Sequence, residues 1–457
     1  MTPEITKYDE FVVLSPTAIL GYGFPIESFK RGIDEKPNLI AVDAGSTDPG
    51  PYYLGSGHSF TDREFVKRDL RIMINAGLEN SVPVVIGTAG GSGSLPHLKW
   101  CEEIINEIAA EDEISFKMAV IPSDISKETV STALKSNKIR PLKGVKELTQ
   151  DLIEQSTGIV AQMGMKPFIE ALNQGCDVVL AGRSYDPAVF AALPVSKGYD
   201  VGLSLHMGKI LECAAIASTP GSGADCALGR LRNDSFILEP LNPSRKFTCE
   251  STAAHTLYEK TDPYHLPGPG GELDLTDCSF TQITENSVMV KGTKFIPEKT
   301  NTVKLEGARV VGYRSISIAG IRDPLMISAI DTILEEVKQA VENMGKIDNG
   351  DIYFHVYGKN GVMGPLEPLP PEEMRSHELA VVIEAIGDTQ KKADTLCSVT
   401  RSTLLHFGYE NRISTAGNLA FPFSPSDIRM GEVYEFSIYH LMEIEPEFQV
   451  IIKTVGK

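Results

Sequence analysis

Asp43, Ser46 and Asp48 fall in one short segment, Asp43-Ala44-Gly45-Ser46-Thr47-Asp48-Pro49-Gly50-Pro51, with Tyr52, Tyr53 and His58 close behind. Two carboxylates, a hydroxyl and an imidazole after a strand-like run are the groups that acid–base catalysis uses. Asp43 suits a base or a metal ligand, Ser46 a hydrogen-bond donor to substrate, and Asp48 a second acid. Gly50 and Pro51 are expected to deny the segment an ordinary helix. That leaves a loop over 43–58 and puts the next helix start near Thr61 or Asp62. The plainer alternative is a solvated turn in which Asp48 bonds its own backbone.

The same Ala-Gly then Asp-Pro joint recurs at Ala181-Gly182-Arg183-Ser184-Tyr185-Asp186-Pro187 and at Ala319-Gly320-Ile321-Arg322-Asp323-Pro324. Arg183 leaves a buried strand where ligands collect in open α/β sheets, and its fork suits a carboxylate or phosphate; an ion pair with a neighbouring Asp is the competing reading. Asp186 is expected to cap a helix running through Phe190, and Asp323 to cap a longer one. Gly90, Gly91, Ser92, Gly93 and Ser94 join a strand to a helix, where free N–H groups can hold an anion. That run lacks the Lys-Ser/Thr of a P-loop and the spacing of a dinucleotide fingerprint, so a carboxylate or thioester carbonyl suits it better. Glu212, expected mid-helix beside Lys209, is either a buried acid–base group or a solvated charge. Asn418 is a further candidate for contacting substrate. His206, His255 and His265 read as structural or loop residues.

These groups need elements to position them. Over the first 240 or so residues, strand patterns at Phe11–Leu14, Leu39–Asp43, Val82–Gly87, Phe116–Pro122 and Asp177–Gly182 alternate with helical patterns. Those helices are expected at Asp62–Ala76, Leu95–Ala110, Val145–Glu154, Met165–Gln174 and Leu203–Ala217. The alternation predicts an α/β domain over 1–300, a mostly parallel sheet with helices on both faces. From 301 to 457 the expected order is strand Arg309–Ala319, helix Asp323–Met344, strands Asp351–Tyr357 and His377–Ile386, helix Thr389–Phe407 and strand Val433–Leu441. That β-α-β-β-α-β order is ferredoxin-like, α+β, with an inserted loop over 408–431.

Composition narrows the function classes. The 457 residues are 42% hydrophobic and 23% charged, with a formal net charge of −18, which argues against a nucleic-acid partner. No apolar run spans a bilayer, and residues 1–7 lack the pattern of a secretory leader. Seven cysteines without a Cys-x-x-Cys pair fit reduced thiols, hence a cytoplasmic setting. No zinc spacing is present.

Val178-Val179-Leu180-Ala181-Gly182-Arg183, then Leu211-Glu212-Cys213, then His255-Thr256-Leu257-Tyr258-Glu259 with Asp262-Pro263 resemble the acyclic terpene utilisation family. The resemblance spans most of the chain. It implies catabolism of branched acyclic acids or their thioesters by hydration or carbon–carbon cleavage, and it assigns no catalytic residue. Thr415-Ala416-Gly417-Asn418-Leu419-Ala420 stands where the family carries a richer glycine segment.

Together these readings predict a lyase, a hydratase in the first instance, acting on a small carboxylic acid or acyl thioester. Asp43, Ser46, Asp48 and Glu212 would supply the chemistry, and Gly90–Ser94, Arg183 and Asn418 would hold the substrate. No cofactor is required, although a divalent cation on Asp43 and Asp48 would make the protein a metal-assisted hydrolase or lyase. A non-catalytic ligand-binding subunit is the third reading. A homo-oligomer stays open.

Overall fold

Short β-branched runs set one after another build a ten-stranded sheet. In spatial order the strands are Ser279–Gln282, Val288–Lys291, Ser235–Pro240, Ala227–Leu231, Phe11–Ser15, Leu39–Asp43, Val84–Gly87, Val178–Ala181, Phe116–Ile121 and Ile451–Val455. This is a computed structural model describing residues 10–344, 350–368, 376–443 and 447–456. Residues 1–7, read above for a leader, lie outside the described residues.

The five strands from Phe11–Ser15 to Phe116–Ile121 are parallel, and every other pairing in the sheet is antiparallel. The sheet is therefore mixed rather than mostly parallel. Tight connections such as the one between Ala227–Leu231 and Ser235–Pro240 allow only antiparallel neighbours. Along the central strands successive side chains enter opposite cores: Val13, Leu39, Ala41, Val85 and Val179 on one face, Leu14, Ile40, Val42, Ile86 and Leu180 on the other. Burial on both faces explains why these strands read as unbroken apolar runs.

By chain contacts one unit comprises Met1–Arg309 with Phe436–Lys457 and a second comprises Val310–Glu435. The first also pairs Gly158–Ala161 with residues 305–308, and holds a small sheet of His265–Gly268, Gly271–Asp274 and Lys294–Pro297. The second takes in Gly350–Tyr357, Leu379–Gly387, residues 310–321 of strand Val303–Ile321 and residues 427–435 of strand Asp427–Met442, in that order in one sheet, the second and third joined antiparallel through residues 313–321. Its helices are Pro324–Ser328, Ile330–Asn343 and Gln390–His406.

Several expected elements shift. Residues 51–56 form a helix after all, because Pro51 sits at its first position, where a missing N–H costs nothing. The helix Val201–Leu211 stops short of the expected Ala217, since Ala214 has φ +44°, outside the right-handed helical region. The helix expected over 323–344 breaks at Ala329, and strand Asp427–Met442 begins early enough to shorten the expected 408–431 insertion. Asp323 does cap its helix, accepting from Leu325 N at 2.9 Å.

Candidate functional site

Adjacent parallel strands Leu39–Asp43, Val84–Gly87 and Val178–Ala181 end side by side. Asp43 is the last residue of the first, Thr88 follows the second and Arg183 follows the third. Strand carboxyl ends in such sheets point backbone and side chains toward a common crevice. Here a cavity of about 300 Å³ lies within the first unit, walled by Arg183, Tyr185, Asp186, Lys209, Glu212 and Lys260, with Lys304 and Asp48 also lining it.

Glu212 is the central carboxylate. It closes the helix Val201–Leu211 and is 7% exposed. Lys209, one helical turn earlier, holds its Oε1 at 2.6 Å, while its buried Oε2 has no hydrogen-bond partner. Burial raises the Glu212 carboxyl to about 7; Lys209 opposes that rise and Asp186 adds to it. For Lys209, burial favours the neutral amine, but Glu212 outweighs it and keeps the ammonium charged.

Asp43 is 7% exposed, its Oδ1 has no partner, and the Thr88 hydroxyl hydrogen-bonds the carboxyl. Burial and then Asp186 push Asp43 well above the usual carboxylate range; Arg183 counteracts this and Glu212 reinforces it. Asp186 is also raised by burial, against Arg183. Burial thus raises three neighbouring carboxyl groups, the kind of arrangement from which acid and base roles arise.

The structure places Arg183 in an ion-pair network. Its Nε donates to Glu306 Oε2 at 2.7 Å, and its Nη1 to Asp186 Oδ1 at 3.0 Å and to Ser184 O at 2.9 Å. Lys304 meets Glu306 Oε1 at 2.7 Å and Thr47 Oγ1 donates to the same oxygen at 3.0 Å. Burial alone would raise the Glu306 carboxyl, yet Arg183 and Lys304 hold it down to about 2. The competing reading of Arg183 at sequence level is the one its geometry matches. Asp186 is not the expected N-cap: it is the first helical residue, and its carboxylate turns back to Arg183.

Gly90–Ser94 is buried throughout and turned inward. Gly91 N donates to Thr88 O, Ser92 N to His97 Nδ1 and Gly93 N to Ala89 O, each at 3.1 Å. These three N–H groups are engaged locally rather than open to an anion. Instead the loop seats Arg183. Ser123 Oγ donates to Gly93 O at 2.9 Å and accepts from Arg183 N at 2.7 Å. A Cβ on Gly93 (φ +69°) would lie 2.1 Å from Arg183 N.

Ser46 and Asp48 close on each other: Ser46 Oγ donates to Asp48 Oδ2 at 2.7 Å and accepts from Asp48 N at 3.1 Å. Asp48 is exposed at the cavity rim and His58 stacks on Tyr52. His206 is held at both ring nitrogens, by Thr293 and Thr256. Asn418 belongs to the second unit, where its Nδ2 donates to Leu404 O at 3.0 Å and Phe407 O at 2.9 Å, closing the end of helix Gln390–His406. Among the described residues no group of three or more His, Cys, Asp or Glu side chains has metal-holding geometry, and no helix is long and apolar enough to cross a membrane.

The sequence reading missed Lys260, Lys304 and Glu306. Glu306 carried a signal, an acid inside an apolar strand pattern, but the strand was expected to begin only at Arg309. Lys209 and Glu212, three apart on one helix, carried another.

A family model described as acyclic terpene utilisation family protein AtuA matches residues 59–226 and 235–411. No curated protein and no solved structure matches the chain.

Proposed function

The chain belongs to the acyclic terpene utilisation family, and from that premise we propose that the cavity of its first unit is the active site of a catabolic lyase. The family name implies a role in acyclic terpene utilisation. The finer reading is addition or elimination of water on a small branched carboxylic acid or its thioester.

One observation carries this reading: Glu212 is a buried carboxyl at the cavity wall with one oxygen fixed by Lys209 and the other unpartnered. A group poised near neutrality both gives and takes a proton readily. In our account Glu212 exchanges the proton with the substrate carbon. Asp43, behind it, holds the proton that the crowded carboxyls share. Lys209, already ionised, stabilises negative charge developing as an enolate. Arg183, Glu306 and Lys304 form the charged frame, and Ser46 with Asp48 stands at the rim. Asp43 and Asp48 in the metal-assisted reading are separated in environment, one buried and one exposed, and no observation favours it. The β-α-β-β-α-β order of the second unit supports a ferredoxin-like fold, for which we propose no chemical step.

The test is a panel of branched α,β-unsaturated acids and thioesters incubated with the purified chain in H₂¹⁸O. Mass gain in the product is expected with the wild type. Loss of a general acid–base group lowers rates by roughly 10²–10⁴-fold, so Glu212→Gln should fall by that much. Wild-type turnover in Glu212→Gln would overturn the assignment.

A further inference from the structure

Tyr185 stands between strand Val178–Ala181 and helix Asp186–Ser196, and its backbone is fixed on both sides. Its N–H donates to Met163 O at 2.8 Å, and its carbonyl accepts from Ala188 N at 2.7 Å. The ring packs in an apolar cluster with Ala188, Ala191, Leu205 and Leu266. It also lies against the Gly268 backbone, where a Cβ would sit 2.7 Å from Tyr185 Cζ and 2.8 Å from its hydroxyl oxygen. The residue is 8% exposed and lines the cavity, yet among the described residues no group hydrogen-bonds its hydroxyl. A buried hydroxyl is ordinarily paired, because it has given up its bonds to water. Gln162 and Tyr439 line the same cavity, but both are only half-buried. Burial and then Glu212 raise the Tyr185 hydroxyl above the ordinary tyrosine range, so it keeps its proton and can donate.

We propose that Tyr185 donates a hydrogen bond to the oxygen that the reaction adds at C3, so that one member of the substrate pair is a 3-hydroxy acid or its thioester. The inference rests on the acid–base reading of the same cavity and gives a protein partner to an oxygen that reading leaves without one. Glu212 takes the proton that water gives up as its oxygen bonds to C3, and returns it to C2. Tyr185 keeps its own proton throughout. C3 is bonded to the carbon that Glu212 serves, and Glu212 is the charged group acting most strongly on the Tyr185 hydroxyl. Lys209 is committed to Glu212, and Arg183 to Glu306 and Asp186. A neutral hydroxyl suits an alcohol oxygen, since it donates without needing a counter-charge.

The test measures calorimetric binding of 3-hydroxy-3-methylbutanoate and 3-methylbutanoate, each as the acid and as its N-acetylcysteamine thioester, to wild type and Tyr185→Phe. The two ligands differ by one hydroxyl and the two proteins by another, so the four affinities close a cycle. A neutral hydrogen bond contributes enough that the wild type should favour the hydroxylated ligand roughly two- to tenfold. Tyr185→Phe should erase that preference by weakening the hydroxylated ligand alone. Unchanged affinity for the 3-methylbutanoyl ligand guards against misfolding, as Phe keeps the ring in its cluster. A preference in Tyr185→Phe equal to wild type, equal weakening of both ligands, or no wild-type preference or binding in either form would each overturn the proposal. Glu212→Gln separates the two claims: it should keep the preference for the hydroxylated ligand and lose turnover. If it keeps turnover, the acid–base reading fails while the Tyr185 cycle stands on its own.

Discussion

Replacing Glu212 with Gln should erase a carboxyl group that titrates near neutrality. The ordinary glutamate value is 4.5 and this group is raised to about 7, mainly by burial. A shift of that size changes the protonation equilibrium by roughly 300-fold, or about 3 kcal/mol. At pH 7 about half of the molecules should carry the proton, against about one in 300 for an unshifted group. Because the folded value is raised, the protonated form favours the folded state. That advantage is complete below about pH 4.5 and is lost as pH rises through 7. Glu212→Gln should flatten this part of the stability profile. Because Gln mimics the protonated carboxyl, the variant should keep above pH 7 the stability that the wild type loses there. The direct assay is infrared spectroscopy of protein with isotope-labelled glutamate, following the protonated-carboxyl band from pH 4 to 9. A band titrating near 7 in the wild type and absent from Glu212→Gln is expected. A wild-type spectrum in which every glutamate ionises below pH 5.5 would refute the reasoning.

Three further outcomes follow from the same geometry. Arg183→Met should leave buried Glu306 and half-buried Asp186 without their shared cation and cost about 3–5 kcal/mol, read as a lower unfolding temperature; an unchanged temperature would show that the network is not structural. Gly93→Ala should fold poorly or lose several degrees of thermal stability, since its φ and the backbone of Arg183 both exclude a Cβ, whereas a wild-type melting curve would contradict that fit. Asn418→Ala should remove two hydrogen bonds from the end of helix Gln390–His406 and cost about 1–2 kcal/mol, seen as faster amide exchange in the last turn; unchanged exchange would place those bonds elsewhere.

Much of the first sheet was legible because burial on both faces writes strands as apolar runs: Leu39–Asp43 has the expected bounds, and Leu95–Glu111 shows the expected buried stripe of Leu98, Cys101, Ile104, Ile105 and Ile108. Antiparallel edges were not legible. Ile451–Val455 is too short and too mixed to announce itself, yet it adds a strand beside Phe116–Ile121. The candidate site was legible in part for a related reason. Asp43 and Arg183 stand at strand ends, where the pattern points to them, and Glu212 follows a strong helix. Lys260 comes from an irregular segment and Lys304 and Glu306 from the start of a long strand, so nothing local marks them as neighbours. Loop glycines misled in the opposite way. Gly90–Ser94 looks like an anion cradle from composition, but whether its N–H groups point outward depends on His97, Thr88 and Ala89 accepting them.

The central claim is that Glu212 exchanges a proton with a substrate carbon in this cavity. It is tested most directly by nuclear magnetic resonance of 3-methylbut-2-enoate incubated with the protein in D₂O. With the wild type, addition of D₂O across the double bond should place deuterium on C2 and oxygen on C3 of the 3-hydroxy-3-methylbutanoate formed, slowed roughly 10²–10⁴-fold in Glu212→Gln. Exchange by Glu212→Gln at the wild-type rate would contradict it.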